Sequence, residues 1–190
     1  MDGLRVIFSP PAEARWNMAL DEALFEGVIG GGTAPTLRLY SWRPPGISLG
    51  YFQPAGMADP AACARRGVEV VRRATGGGAV LHYGDLTACL VCSKRMLPGN
   101  VRESYRRLSA AHAEALRSLG LAAEAGDAAP PLPHRLRPGY DCFARLTECD
   151  VAVGGAKVAG SAQRRKRGAL LHHTSIVWEP PPPELLVTTS

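Results

Sequence analysis

The residues best suited to chemistry fall in two glycine-bearing stretches, a histidine pair and a set of thiols. Arg72-Arg73-Ala74-Thr75-Gly76-Gly77-Gly78-Ala79-Val80-Leu81-His82 sets a triple glycine between two cations and an imidazole. Glycines without Cβ atoms let a ligand approach the main chain and can aim N–H groups at an anion or a carbonyl oxygen. Alone, the run reads first as a flexible turn. Its spacing is not that of a Rossmann or P-loop motif, both of which open a helix straight after the glycines. Gly155-Ala156-Lys157-Val158-Ala159-Gly160-Ser161-Ala162-Gln163 sets a lysine just after a hairpin turn, followed by small residues against which a narrow chain can lie. A lone strand lysine is otherwise a solvated edge charge. Leu171-His172-His173-Thr174-Ser175-Ile176 adds two imidazoles, and Cys63, Cys89, Cys92, Cys142 and Cys149 are the thiols. Arg164-Arg165-Lys166-Arg167 reads as a cationic loop closed by Gly168, either a solvated turn or a docking patch for an acidic protein or nucleic acid.

The elements that must position these residues are readable in outline. From Pro11 to Ile29, Trp16, Leu20, Ala23, Leu24 and Val28 recur at helical spacing until Gly30-Gly31-Gly32. The β-rich runs Thr36 to Trp42 and Ile47 to Phe52, separated by Pro44-Pro45-Gly46, read as an antiparallel pair. Asp59-Pro60 starts a short helix that Gly67 stops before the strand Val68 to Arg73. Strands Ala79 to Tyr83 and Leu86 to Ser93 follow the glycines. The second contains Cys89-Leu90-Val91-Cys92, a C-x-x-C spacing whose thiols a strand sends to opposite faces. Asn100 and Glu103 have capping-box spacing and open a long helix closed by Gly120. Then come a strand at Leu121 to Ala125, a proline-rich connection, two short strands across Gly154-Gly155 and a last strand from Ala169 to Trp178. Past it, Pro180 to Pro183 end the fold or turn it along a surface. Strands and helices mix without βαβ alternation, so the expected class is α+β, a largely antiparallel sheet with flanking helices.

Composition bounds the rest. The 190 residues are 46% hydrophobic and 21% charged, as in an ordinary globular domain. They are expected to form a single catalytic domain over 1–190, with an ordered core over about 5–178 and a proline-rich tail over 179–190. No segment approaches the ~18 apolar residues of a membrane helix, and Met1-Asp2-Gly3-Leu4-Arg5 is not a leader, so the expected location is cytoplasmic and no membrane partner is expected. An odd number of irregularly spaced cysteines argues for reduced thiols, and no second Cys pair completes a zinc site, so no metal is expected. The net charge of +5 suits an acidic protein or an anionic ligand. The single basic run and the lack of interleaved aromatics disfavour nucleic acid.

The order and spacing of Asn17 to Leu24, Ser48 to Gln53, Arg72 to His82, Lys157 to Gln163 and Leu171 to Ile176 resemble those of the biotin/lipoate protein ligase family. The chain is most similar to the lipoate-protein ligase and octanoyltransferase branch, and within it to the cysteine-type octanoyltransferases, over about residues 5–178. The resemblance implies the catalytic-domain fold of that family and acyl-lysine chemistry. Asp141-Cys142-Phe143 stands where the cysteine-type transferases carry a cysteine followed by phenylalanine, and no Arg-Asn-Asp stretch of the ATP-dependent ligases is present. The family's C-terminal extension is likewise expected to be absent. The implied catalytic residues are Cys142, as nucleophile, and Lys157, which lowers the thiol pKa and stabilises the oxyanion. The implied substrate-binding residues are Arg73, Thr75, Gly76, Gly77, Gly78, His82, Gly160, Ser161, Ala162 and His173. His82 or His173 is the expected proton acceptor for the incoming amine. Thr174 stands where the family usually has glycine, a position from which a Cβ is expected to push the backbone off the ligand or narrow the acyl slot.

The implied donor is an acyl carrier protein thioester. The acceptor is a lysine of a lipoyl domain or a glycine cleavage H-type protein, and no cofactor is needed. The alternatives are an ATP-dependent lipoate-protein ligase, with ATP and Mg and with the adenylate phosphate against Arg72, Arg73 and the glycines, and an inactive acyl- or carrier-binding paralogue.

Overall fold

The computed structural model describes residues 3–126, 147, 149–182 and 185. Cys142 and its neighbours Asp141 and Phe143 lie outside them. The elements in chain order are β1 (Arg5–Phe8), α1 (Ala14–Ile29), β2 (Thr36–Tyr40), β3 (Gly46–Leu49), α2 (Pro60–Arg65), β4 (Glu69–Arg72), β5 (Val80–His82), β6 (Asp85–Ser93), α3 (Val101–Ser118), β7 (Ala123–Ala125), β8 (Val151–Val153), β9 (Ala156–Lys166) and β10 (Ala169–Val177). A seven-stranded sheet runs β1-β2-β6-β10-β9-β8-β7, and a three-stranded sheet runs β4-β3-β5. In the large sheet only β1 and β2 pair in parallel. This is the expected α+β class.

Local chemistry explains the helix ends. Asp59 accepts from the N–H groups of Ala61 and Ala62, with Pro60 at the first helical position of α2. Asn100 and Glu103 form the reciprocal capping box of α3. Gly120 takes a φ of +86° after α3, and Gly154 and Gly155 take +56° and +79° in the hairpin between β8 and β9. No described helix is long and apolar enough to cross a membrane. Beyond β10 the chain stays attached: Trp178 and Glu179 donate to the Gly84 carbonyl, and Leu185 packs on the apolar cluster of the small sheet.

Three expectations are corrected. β2 and β3 do not pair. β2 is hydrogen-bonded on both edges, by β1 and β6, while β3 is the centre of the small sheet, parallel to β4 and antiparallel to β5. Pro44-Pro45-Gly46 therefore carries the chain from one sheet to the other rather than around a hairpin.

The inward stripe of α1 is only partly the expected one: Leu24 and Val28 pack against the core, but the fully buried positions lie one residue around the helix and include two polar side chains. Ala14, Asn17, Met18, Asp21 and Phe25 are buried, whereas Trp16 is 62% exposed, because Asn17 and Asp21 face a charged partner on β2.

The basic run, finally, is mostly strand. β9 extends to Lys166, leaving only Arg167 and Gly168 to turn. Arg164 donates to Ala74 O at 3.0 Å, Arg165 to Asn100 O at 3.0 Å, and Lys166 pairs with Glu26 at 2.7 Å. These cations staple elements together instead of forming a free patch.

Candidate active site

The glycine loop is shaped by Arg73. Its guanidinium is buried and donates through Nη1 to Ser48 O at 2.7 Å and to the Ser48 hydroxyl at 3.1 Å. Through Nη2 it donates to Gly76 O and Gly78 O, both at 2.6 Å. A trans peptide directs its C=O and N–H oppositely, so the N–H groups of Gly77 and Ala79 face away from the guanidinium. That is the orientation of an anion or oxyanion cradle. Glycine is required beneath the loop as well: a Cβ on Gly50 would lie 1.9 Å from Gly77 O. Gly76 has nothing within 4 Å of where its Cβ would be. Arg72, expected near a phosphate, donates instead to Gly50 O at 2.8 Å and Tyr51 O at 3.1 Å.

The opposite wall is the face of β9 and β10 that carries Gly160, Ala162 and His173. The Ala162 Cβ is 4.0 Å from the Cβ position of Gly77, and Thr75 Oγ1 lies 3.2 Å from His173 Nδ1. Pairing of Ala162 with His173 and of Gly160 with Ser175 puts these residues on one face, since side chains alternate along a strand.

Ser161 and Thr174 belong to the other face, hydrogen-bonded to each other at 2.9 Å. That face is covered by α3, where Ser104 meets Gln163 and Tyr105 stacks edge-on against His172. Thr174 therefore does not narrow the slot: its Cβ points through the sheet, away from the glycines. Ser161 borders the cleft with its backbone only.

Lys157 closes the β9 wall. Its side chain is 6% exposed and its ammonium is 2.9 Å from Asp150 Oδ2, so it is a buried ion pair rather than a solvated edge charge. Gly160 makes room for it, because a Cβ there would be 2.8 Å from Lys157 Cε.

The two histidines are anchored. His173 Nε2 donates to Asp21 Oδ2 at 3.0 Å. Asp21 also accepts from Arg38 Nη1 at 2.8 Å and Tyr40 OH at 2.6 Å, while Arg38 Nη2 donates to Asn17 Oδ1 at 2.7 Å. All five residues are buried. Burial pushes the Asp21 carboxyl up, but the hydrogen bond and charge of His173, the charge of Arg38 and the Tyr40 hydroxyl outweigh it and hold it below the usual range. Cys89 Sγ lies within 4.8 Å of ligand atoms of Asp21 and His173, and burial pushes its thiol well up.

His82 Nδ1 donates to Asp85 Oδ2 at 2.8 Å, its Nε2 faces the Ser48 hydroxyl at 2.8 Å, and its ring stacks on Trp42 at 3.7 Å. With both ring nitrogens engaged, each histidine holds structure around the cleft rather than presenting a vacant nitrogen to an amine.

The sequence had singled out Asn17 and Asp21 only as part of a motif, and Arg38, Tyr40, Ser48, Asp85 and Asp150 not as site residues. The one available signal was the occurrence of Asp21 and Asn17 on the helix face that the apolar pattern left unassigned.

Residues 13–182 match the model of the lipoyl protein ligase A/B catalytic domain. The chain is 41% identical over 174 residues to octanoyltransferase LipM of Kyrpidia tusciae, covering 88% of this chain and 63% of that protein. It is 43% identical over 155 residues to octanoyltransferase LipM of Moorella thermoacetica, covering 79% and 56%. The chain thus spans about three-fifths of the length of these relatives. Among solved structures, lipoate-protein ligase A bound with ATP matches with a TM-score of 0.76 at 29% identity, over 95% of this chain and 68% of that one. The bi-partite lipoate protein ligase of Thermoplasma acidophilum, described with its E2 lipoyl domain, matches with a TM-score of 0.73 at 29% identity, over 95% and 63%. A glycine loop facing a lysine-bearing strand thus sits in a chain that belongs to the lipoyl protein ligase A/B catalytic domain family.

Proposed function

We propose that this domain transfers an octanoyl group from a carrier-protein thioester to a lysine of a lipoyl-accepting protein by way of Cys142, without ATP. The carrying observation is the match, at 41% and 43% identity, to proteins named octanoyltransferase LipM, above the 29% shared with the ligase structures. The Cys142 thiolate attacks the carbonyl carbon of the donor. A C–S bond to the enzyme forms as the C–S bond to the carrier breaks, and the carrier leaves as a thiolate that takes up a proton. The lysine amine then attacks the acyl-enzyme: a C–N bond forms, the amine gives up a proton, and the Cys142 sulfur departs. The N–H groups of the glycine loop and the Lys157 ammonium are the groups offered to the oxyanion at both steps.

Three of the other four thiols support this choice. Cys63, Cys89 and Cys92 are buried, and burial pushes all three upward, Cys92 to about 11. A thiol held protonated is a poor nucleophile. The acceptor class is supported by the structural neighbour described with an E2 lipoyl domain.

The test incubates the full chain with an octanoyl-carrier thioester, without ATP, and reads intact mass. A covalent octanoyl adduct that Cys142→Ser abolishes is the expected result. Modification that requires ATP and free acid assigns the ligase reaction instead.

A further inference from the structure

The lip of the glycine loop carries an aromatic pair that is tied to the loop through the Tyr51 backbone and faces solvent. Phe52 is 88% exposed and Tyr51 44% exposed, and their rings meet edge to face at 4.9 Å. Tyr51 N donates to Thr75 O at 2.9 Å, which fixes the pair to the loop itself. Arg164 stacks on the Tyr51 ring at 4.3 Å, and Arg72 binds the Tyr51 carbonyl at 3.1 Å. Such an aromatic platform flanked by guanidinium groups has the composition of an interface centre.

We propose, resting on the acyl-transfer reading above, that Tyr51, Phe52 and Arg72 form the docking surface for the acceptor domain. The partner is the small lipoyl-accepting domain, which meets these arginines with an acidic face. Reach selects the acceptor over the donor. A lysine side chain is short, so the body of the acceptor must lie on the lip for its amine to reach the glycine loop. A carrier protein presents its acyl group on a long pantetheine arm and can stand off. Charge agrees, since the platform is flanked by arginines in a chain of net charge +5.

The experiment compares wild type, Phe52→Ala and Phe52→Glu, each as the full chain, with an isolated unmodified lipoyl domain as acceptor and a small octanoyl thioester as donor. The expected kcat/KM for the lipoyl domain falls about tenfold in Phe52→Ala and further in Phe52→Glu, where a negative charge opposes an acidic partner. The rate of acyl-enzyme formation from the small thioester stays at the wild-type value. Equal kcat/KM in all three proteins overturns the proposal, as does a loss that appears only when the donor is carrier-bound. A titration of labelled lipoyl domain followed by NMR reads docking without turnover. Binding weakened by Phe52→Glu in a protein that forms no adduct upholds the surface while the acyl-transfer reading fails.

Discussion

The Ser48 hydroxyl and His82 Nε2 meet at 2.8 Å inside the small sheet and form the middle of a buried chain. Asp85 accepts from His82, Ser48 accepts from Arg73, and Arg73 holds the carbonyls of Gly76 and Gly78. The glycine loop is therefore set by a residue on the next strand and a carboxylate beyond it. His82→Phe keeps a ring against Trp42 but removes one hydrogen bond from Asp85, which still accepts from Ser175, and one from the Ser48 hydroxyl, which still accepts from Arg73. It is expected to cost about 1–3 kcal/mol in urea unfolding. Arg73→Lys is expected to lower kcat/KM for a small acyl thioester about tenfold or more, because a point charge cannot bridge Ser48 and two loop carbonyls at once. Wild-type kinetics in Arg73→Lys would show that the loop holds its shape unaided.

This chain was only partly legible in the sequence. The glycines, Lys157 and the caps at Asp59 and Asn100 announce themselves, because turn and cap chemistry is local. Arg38 does not, because a charge in a strand ordinarily faces water, and its partner Asp21 lies on a different element. The same non-locality hid the pairing of β2: nothing between Thr36 and Phe52 states that β6 is its neighbour. Thr174 is the converse case. Alternation along β10 settles which face it takes only once the His173 side is known to meet Thr75.

Asp21→Asn tests the buried ion network. With its carboxyl held below the usual range, Asp21 contributes stability that is fully present above the ordinary carboxylate pKa and is lost as pH falls through the folded value. The variant leaves Arg38 uncompensated and is expected to be about 3–5 kcal/mol less stable near neutral pH. The gap to wild type should narrow as unfolding is measured from about pH 5 downward. A gap independent of pH would remove Asp21 as the titrating group.

His172 gives a separate acid signature. Burial, then the nearby His112 and His173, lower its pKa from 6.5 to about 3. Its folded form is neutral, so its contribution is full above the ordinary histidine value and is lost as pH falls from there toward about 3, by at most about 1.4 kcal/mol per pH unit. His172→Gln cannot take up that proton, and its stability profile between these two values should be flatter than wild type. Parallel profiles would place the acid sensitivity elsewhere.

Gly160 and Lys157 allow position to be separated from charge. A Cβ at Gly160 meets Lys157 Cε at 2.8 Å, the far end of a flexible side chain, and not backbone. Gly160→Ala should therefore displace the ammonium from its place over β9 rather than break the sheet. Its expected result is a melting temperature close to wild type with kcat lowered on the order of 10²-fold, the size associated with one oxyanion-directed group. Lys157→Ala should lose a similar factor in kcat. Its stability loss should be larger, because it leaves Asp150 buried without the ammonium 2.9 Å away. The two changes act on one group, so the double variant should be no slower than Lys157→Ala alone. Additive losses in kcat would mean that Gly160 serves the cleft by its own lack of a side chain and not by seating Lys157.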